Sequence, residues 1–432
     1  MKRILLLFCI IHLVFAQGLF ESAQMESSAA CDLGGDIRSY IHFDTKNDSL
    51  YSKNIYSRAT LKLKAQKADV GFAYAELQFI DSYYSGEHDV NFNLREAYID
   101  ISLGPLTTRL GKQIAAWGRA DVFTSTDNIT PRNMTHILPD FDDMRLGNIL
   151  VNTSLQIGSA VKLQGIWIPL YMPNELPISV FDLPQGVIYT GIDMPDHYFI
   201  NSGGAVKLDL LTSEYDAAFS YLNAYALQPG FSVETIIFSP TMVSYNFFQK
   251  PWRQQVFGFD AAFNASAWSF RCEGAYILPE NEDNDPYIPN PEIQWTFGLD
   301  RSWDTFRFLM EYNGKFVSDF IELTAPENPM LLMGYQLDIY KRLFFRQTDE
   351  ILHSIFIRPA LTLFHEIFEV EIPFSYNITT EEYLIAPRLI LDLADALQLS
   401  LGAYIYHGDN NTLFTLLKPL YNGYYCELKL SF

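Results

Sequence analysis

The stretch from Arg119 to Arg145 packs eight charges into 27 residues: Arg119, Asp121, Asp127, Arg132, Asp140, Asp142, Asp143 and Arg145. Upstream, alternate positions carry Arg58, Lys62, Lys64, Arg95 and Arg109. The chemistry such groups can do is electrostatic. Acidic loop groups facing a basic wall create a transverse field, which screens passing solutes by charge and dipole. Two placements of the loop are open. Folded into a lumen, it narrows that lumen; turned outward, its charges pair with each other or meet water. For any single one of these charges, a structural ion pair is a simpler reading than a substrate contact.

Bond-making chemistry finds little support. His365-Glu366 lacks further His, Cys or carboxylate ligands at usable spacing and reads as a turn. Ser202-Gly203-Gly204 has no phosphate-loop context. His353 and Ser354 are consecutive, so on a strand they point to opposite faces and cannot form a dyad. No metal, no cofactor and no enzymatic activity are expected. The full chain has a net charge of −21, which argues against a nucleic-acid partner.

The elements that carry the charges read as strands. Over residues 55–66, Ile55, Ser57, Ala59, Leu61, Leu63 and Ala65 alternate with Tyr56, Arg58, Thr60, Lys62, Lys64 and Gln66. Phe257, Phe259 and Phe263 alternate in the same way with Gly258, Asp260 and Asn264. This is the period of a strand with one apolar and one wet face. Segments of about ten residues match the length needed to cross a bilayer at a tilt. In lipid, only a closed barrel pairs all the backbone groups of such strands. Phe, Tyr and Trp make up 15% of the chain at a mean hydropathy of +0.01, which suits aromatic girdles better than a soluble core.

The expected fold is therefore all-β, a transmembrane antiparallel barrel. Nineteen segments read as strands, including 92–103, 106–114, 330–341, 366–377, 382–392 and 421–432. Single-chain bacterial barrels have even counts, so about 18 is the expectation, within roughly 16–20. The uncertain stretch is 330–377, and 231–246 is a further candidate strand. Short turns such as Gly104-Pro105, Gly158-Ser159 and Thr212-Ser213 alternate with long loops at 115–146, 169–198, 224–252, 279–291 and 317–329. That is the pattern of short periplasmic turns and long extracellular loops.

Both chain ends agree with export. Lys2-Arg3, an apolar run from Ile4 to Phe15 and small residues before Gln17 read as a signal peptide over 1–16. A polar leader follows at 17–31, then a single barrel domain over 32–432. Removing Lys2 and Arg3 leaves 28 basic against 51 acidic residues, a net charge of −23. Cys31, Cys272 and Cys426 form no disulfide framework, and the last two sit on apolar strand faces. At the other end, Tyr424, Cys426, Leu428, Leu430 and Phe432 alternate with Tyr425, Glu427, Lys429 and Ser431. An amphipathic strand with a terminal aromatic resembles the closing strand of bacterial outer-membrane barrels. That likeness implies that the barrel assembly machinery reads Phe432. Leu428 and Leu430 should then face lipid, with Glu427 and Lys429 facing the lumen.

A denser pattern covers residues 91–150. It comprises Arg95-Glu96-Ala97-Tyr98, Arg109-Leu110-Gly111-Lys112-Gln113, Trp117-Gly118, Asp127, Pro131, and Asp143 with Arg145. It resembles an uncharacterised family of Gram-negative outer-membrane barrels, porin-like and grouped with alginate-export-type porins. Lys112 stands where that family commonly has arginine. The resemblance implies a barrel in the cell outer membrane more strongly than any activity. Gly111 leaves room on the inward face for another backbone segment. Trp117-Gly118 should end its strand with an aromatic at the membrane rim.

The function expected is a porin-like channel for passive or weakly selective passage of small solutes, narrowed by loop 115–146. A specific transporter or export conduit for a hydrophobic compound or glycan is one alternative. A surface adhesin or structural outer-membrane protein is another. Expected partners are outer-membrane lipid, the assembly machinery and small solutes; homo-oligomerisation is left open.

Overall fold

The computed structural model describes residues 29–432 except 47–48, 68–70, 85–86, 136–137, 179–182, 184–186, 198, 239–242, 282–284, 286 and 329–331. The signal peptide read at 1–16 and most of the leader lie outside the described residues. Ala29 to Cys31, read as the end of that leader, already belong to the first strand.

The first part of the wall is β1 (Ala29–Lys46), β2 (Ser49–Lys67), β3 (Gly71–Tyr84), β4 (Glu87–Leu103), β5 (Leu106–Gln113), β6 (Asn148–Ile157) and β7 (Val161–Ile168). After β8 (Val187–Ile192) it continues with β9 (Gly203–Leu211) and β10 (Tyr215–Tyr225). β11 (Gly230–Phe238) and β12 (Val243–Lys250) precede β13 (Arg253–Ala265), β14 (Trp268–Pro279), β15 (Glu292–Trp303) and β16 (Phe306–Val317). The helix α1 (Leu332–Phe345) leads to β17 (Ile351–Leu363), β18 (Phe368–Glu371), β19 (Phe374–Asn377), β20 (Glu382–Ile385), β21 (Arg388–Ala394) and β22 (Leu397–His407). A second helix, α2 (Leu413–Tyr421), precedes the closing strand β23 (Gly423–Ser431).

Twenty of these segments form one sheet, and β1 pairs with both β2 and β23, so the sheet closes. β18 and β19 both pair with β17, and β20 and β21 both pair with β22. Each couple fills one place in the wall, which makes an 18-stranded antiparallel barrel. The breaks fall at Pro373 and Pro387, because proline has no N–H to give the ladder. Their carbonyls still accept: Ala386 N–H donates to Pro373 at 2.9 Å and Ala403 N–H to Pro387 at 3.0 Å. The three strands β8, β11 and β12 form a separate small sheet, so the candidate single strand at 231–246 falls on two strands, β11 and β12, that lie outside the wall.

The expected strand 330–341 is a correction: its described residues, 332–341, lie in α1. Tyr335, Leu337 and Ile339 alternate with polar neighbours by chance, while Leu337 and Leu343 are buried on a helical face. Removing that one segment brings the nineteen strands read from the sequence to eighteen. Helix α2, in the connection before the last strand, has no counterpart in the sequence reading.

The burial pattern is the inverse of a soluble protein's. Outward positions expose Phe92, Ile99, Phe219, Phe257, Phe297 and Leu428, whereas Glu76, Asp100, Asp260, Glu273 and Glu311 are buried on the inner face. An apolar outside around a polar inside is what a membrane-spanning barrel requires. Trp268, Trp303 and Phe306 cluster at the short-turn rim, with ring centroids 5.6 Å apart. The terminal strand follows its expected faces: Leu428 and Leu430 are exposed outward, Glu427 is buried inside, and Lys429 shares its side. Phe432 ends at this same rim, where its backbone exchanges two hydrogen bonds with Gly35.

Candidate functional site: the loop inside the barrel

The connection 114–147 leaves the wall after β5 and re-enters at β6. Its backbone N–H groups need partners wherever the chain is buried. They find them on the inner wall across the barrel. Glu311 on β16 accepts from the N–H groups of Asp121, Val122 and Phe123 at 2.5–3.1 Å. Glu273 on β14 accepts from the N–H groups of Arg119 at 2.5 Å, Ala120 at 2.6 Å and Thr126 at 3.4 Å. Thr296 on β15 donates to the Phe123 carbonyl at 2.8 Å. Both carboxylates are buried, with Glu311 0% and Glu273 3% exposed. Residues 119–126 therefore lie against the interior faces of β14–β16.

Charge pairing extends the anchorage. The Arg119 guanidinium reaches Asp260 at 2.7 Å, Asp216 at 3.4 Å and Asp209 at 3.9 Å. Asp121 pairs with Arg271. Further along, Asp143 accepts from Arg38 at 2.5 Å and meets Arg58 at 3.3 Å. Burial disfavours the Asp143 carboxylate, but the Arg58, Arg38 and Arg95 guanidiniums outweigh it and hold its pKa below the usual aspartate value. At β1 and β2 an acidic loop residue thus meets wall arginines. On the β9–β13 side the charges are reversed, with a loop arginine against wall aspartates.

Of the five predicted wall bases, Arg58 and Arg95 reach the loop. Arg95 stands at a register shift between β3 and β4, where an extra residue re-aims the strand. It donates to the Asp142 carbonyl at 2.7 Å, the Arg145 carbonyl at 3.2 Å and Glu76 at 3.0 Å. Arg109 bonds Asp100 at 3.0 Å and lies over the Tyr98 ring. Lys64 lies over Phe72 at 5.0 Å, and Lys62 is exposed. Among the described residues, neither lysine nor Arg109 bonds to the loop.

Within the loop, Asp127 binds Arg132 at 3.2 Å and Arg145 at 2.5 Å, with no side-chain exposure left. Arg145 also pairs with Asp142, whose own side chain is 81% exposed. Asp140 caps a short 3-10 turn, Phe141–Met144, by accepting from the Asp142 N–H. Pro131 is fully buried and its carbonyl accepts from the Leu146 N–H at 2.8 Å. Gln113 is fully buried; its amide donates to Arg109, Gly111 and Leu150 carbonyls and accepts from Asn152.

Trp117 is a second correction. The strand ends at Gln113, and Trp117 is buried inside the barrel with Ile129, Leu150, Leu222 and Val256. Its indole N–H donates to Gln164 at 3.1 Å. An aromatic after a strand suggests a rim, but this one turns inward with the loop that carries it. The two motif glycines answer to close approaches. A Cβ at Gly111 would stand 2.3 Å from the Ala97 carbonyl, at φ +128, and one at Gly118 would stand 2.5 Å from Glu273, at φ +98.

The sequence reading missed Arg38, Asp260, Glu273 and Glu311 as loop partners. Alternation puts each on a polar face, which was the available signal. Two cavities of about 320 Å³ flank the loop. One is lined by Asp121, Val122 and Phe141 against Phe356, Arg358 and Tyr404. Tyr404 begins a row of stacked rings running through Tyr425 and Tyr40 to Tyr56, with centroids 5.0–5.6 Å apart. The other cavity, on the long-loop side, lies between Thr124–Arg132 and the wall at Gln254, Glu292 and Lys315.

A model of the family described as "Protein of unknown function (DUF1302)" matches residues 40–324. No curated protein matches the sequence. Solved structures of similar fold include OccK5 (OpdH) of Pseudomonas aeruginosa, at 8% identity and a TM-score of 0.54, covering 93% of this chain and 97% of that one. OpdL of Pseudomonas aeruginosa is 9% identical at a TM-score of 0.55, with 93% and 98% covered. OccAB4 of Acinetobacter baumannii is 11% identical at 0.54, with 94% and 99% covered. The architecture is that of Gram-negative outer-membrane porin barrels.

Proposed function

The chain belongs to the DUF1302 family, and from that premise and its barrel we propose that it is an outer-membrane channel for small solutes, narrowed by loop 114–147. The observation that carries this reading is the anchorage of residues 119–126 on Glu273 and Glu311, across the barrel from the loop's own strands. A water-filled lumen crossed by a pinned loop passes solutes by size first. Because Arg119, Asp121, Asp127 and Asp143 are each matched by an opposite charge, the field along the path is modest. Weak selectivity follows, without an energy source or a catalytic group.

Arg58, Arg95, Arg119 and Asp143 are proposed to hold the loop in place. Lys62 and Lys64 would add positive charge along the wall toward the short-turn end, while Arg109 is matched there by Asp100. Phe432 would serve as the assembly signal. Planar-bilayer recording tests the channel: purified protein should insert with discrete, ohmic conductance steps. Insertion without conductance would refute it.

A second reading is a specific conduit, in which the loop is a binding element rather than a passive constriction. The cavities on either side of the loop favour it. A kinship with alginate-export-type porins, which the sequence resemblance implies, would fit this reading.

A further inference from the structure

The cavity on the long-loop side of the pinned segment has an unusual chemical balance. Its charged groups are already paired: Asp127 with Arg132 at 3.2 Å, and Glu292 with Lys315 at 2.9 Å. It therefore presents little net charge to a ligand. What it leaves free are amides. Gln254 is only 4% exposed and lines the cavity, yet among the described residues its side chain has no hydrogen-bond partner. The Gln228 Nε2, on the same lining, is buried and likewise without a partner among them. Each amide offers two donors and an acceptor; the Gln254 amide opens onto the cavity, where a ligand can reach it, and the Gln228 Nε2 lies buried beside it with a donor to give.

A ligand that satisfies both must donate and accept without bringing charge. Hydroxyl groups do this. On the same lining, Trp252, Ile277 and Phe345 supply apolar surface, which suits the C–H face of a ring. The volume, about 320 Å³, falls at the low end of small-molecule sites. We propose that this cavity binds a neutral polyhydroxylated solute of hexose to disaccharide size. The proposal rests on the channel reading only for the solute's route to the cavity.

The test needs no conductance. Purified full-length protein in detergent is titrated with D-glucose, sucrose and, as a charged control, sodium citrate, with tryptophan emission as the readout. A saturable change with at least one sugar is expected, and Trp252→Phe should abolish it. Gln254→Leu should raise the half-saturating concentration about tenfold, the worth of one hydrogen bond to a buried group. Gln228→Leu provides a second variant, and circular dichroism checks that each barrel is folded. Absence of saturation with both sugars, an unchanged response in both folded leucine variants, or tighter binding of citrate would each overturn the proposal. Conductance steps recorded without sugar report on the channel reading independently, so the two can fail separately.

Discussion

At the residue scale, two carboxylates do what a helix cap does for a helix end. Glu273 and Glu311 collect backbone N–H groups that the loop cannot pair with itself. Hydrogen bonds to a charged group contribute about 1.5–3 kcal/mol each. Glu311→Gln should therefore leave the barrel folded and loosen the loop. Amide exchange at residues 121–123 should rise at least tenfold, as one lost bond of about 1.5 kcal/mol implies, and unchanged exchange would remove Glu311 from the anchor. On the opposite wall, Asp143→Asn leaves the nearly buried Arg38 and Arg58 with Asp36 as their remaining ion-pair partner, at 2.9 and 4.0 Å. Losing the charged partner of these bonds should cost about 1.5–3 kcal/mol, which a lowered urea midpoint would show. The depressed pKa of Asp143 fixes the sign of its pH dependence. Its contribution is fully present above the ordinary aspartate value of 3.8 and is lost as pH falls through the lower folded-state value. The part of any strongly acidic loosening of the loop that comes from Asp143 should thus be seen in the wild type and be missing from the asparagine variant, whose acid response is correspondingly smaller. Alternation made Arg58, Arg95 and Glu273 legible as inward-facing residues. Their partners were not legible, because each lies dozens of residues away and no local period encodes it.

At the element scale, the wall strands β2, β13, β14, β15 and β16 follow the period-two pattern closely enough that their faces could be assigned in advance. The failures are instructive. Residues 332–345 satisfy a strand's alternation over a few positions but lack a wall neighbour to complete, so they coil into α1 on top of the loop sheet. Pro373 and Pro387 split two wall positions that the sequence reading took as whole strands. The inward turn of Trp117 was hidden because its burial depends on Leu150, Leu222 and Val256 from three different strands. The motif glycine of β5 is a local matter and makes a sharp prediction. Gly111→Val would place a branched side chain against the Ala97 carbonyl in a backbone region that favours glycine. A cost of about 1–3 kcal/mol follows, seen as a lower yield of the heat-modifiable folded form, while Leu110→Val, on the outward face, should fold like the wild type.

At the scale of the whole molecule, an apolar outside, a polar inside and long loops at one rim make an 18-stranded membrane barrel whose bore would be wide enough for water. The connection 114–147 decides how much of that bore stays open. It is bonded to β14–β16 on one side and to β1, β2 and β4 on another. Tyr421 of α2 adds a bond to the Met134 carbonyl at 2.7 Å, so the last long connection also bears on it. The decisive measurement is the single-channel conductance of a variant with residues 122–140 replaced by a short Gly-Ser linker, compared with the wild type in the same salt. A loop that narrows the lumen predicts discrete steps from both proteins, with conductance raised about twofold or more in the variant. Equal conductance would contradict the account, since it would place the limiting constriction elsewhere.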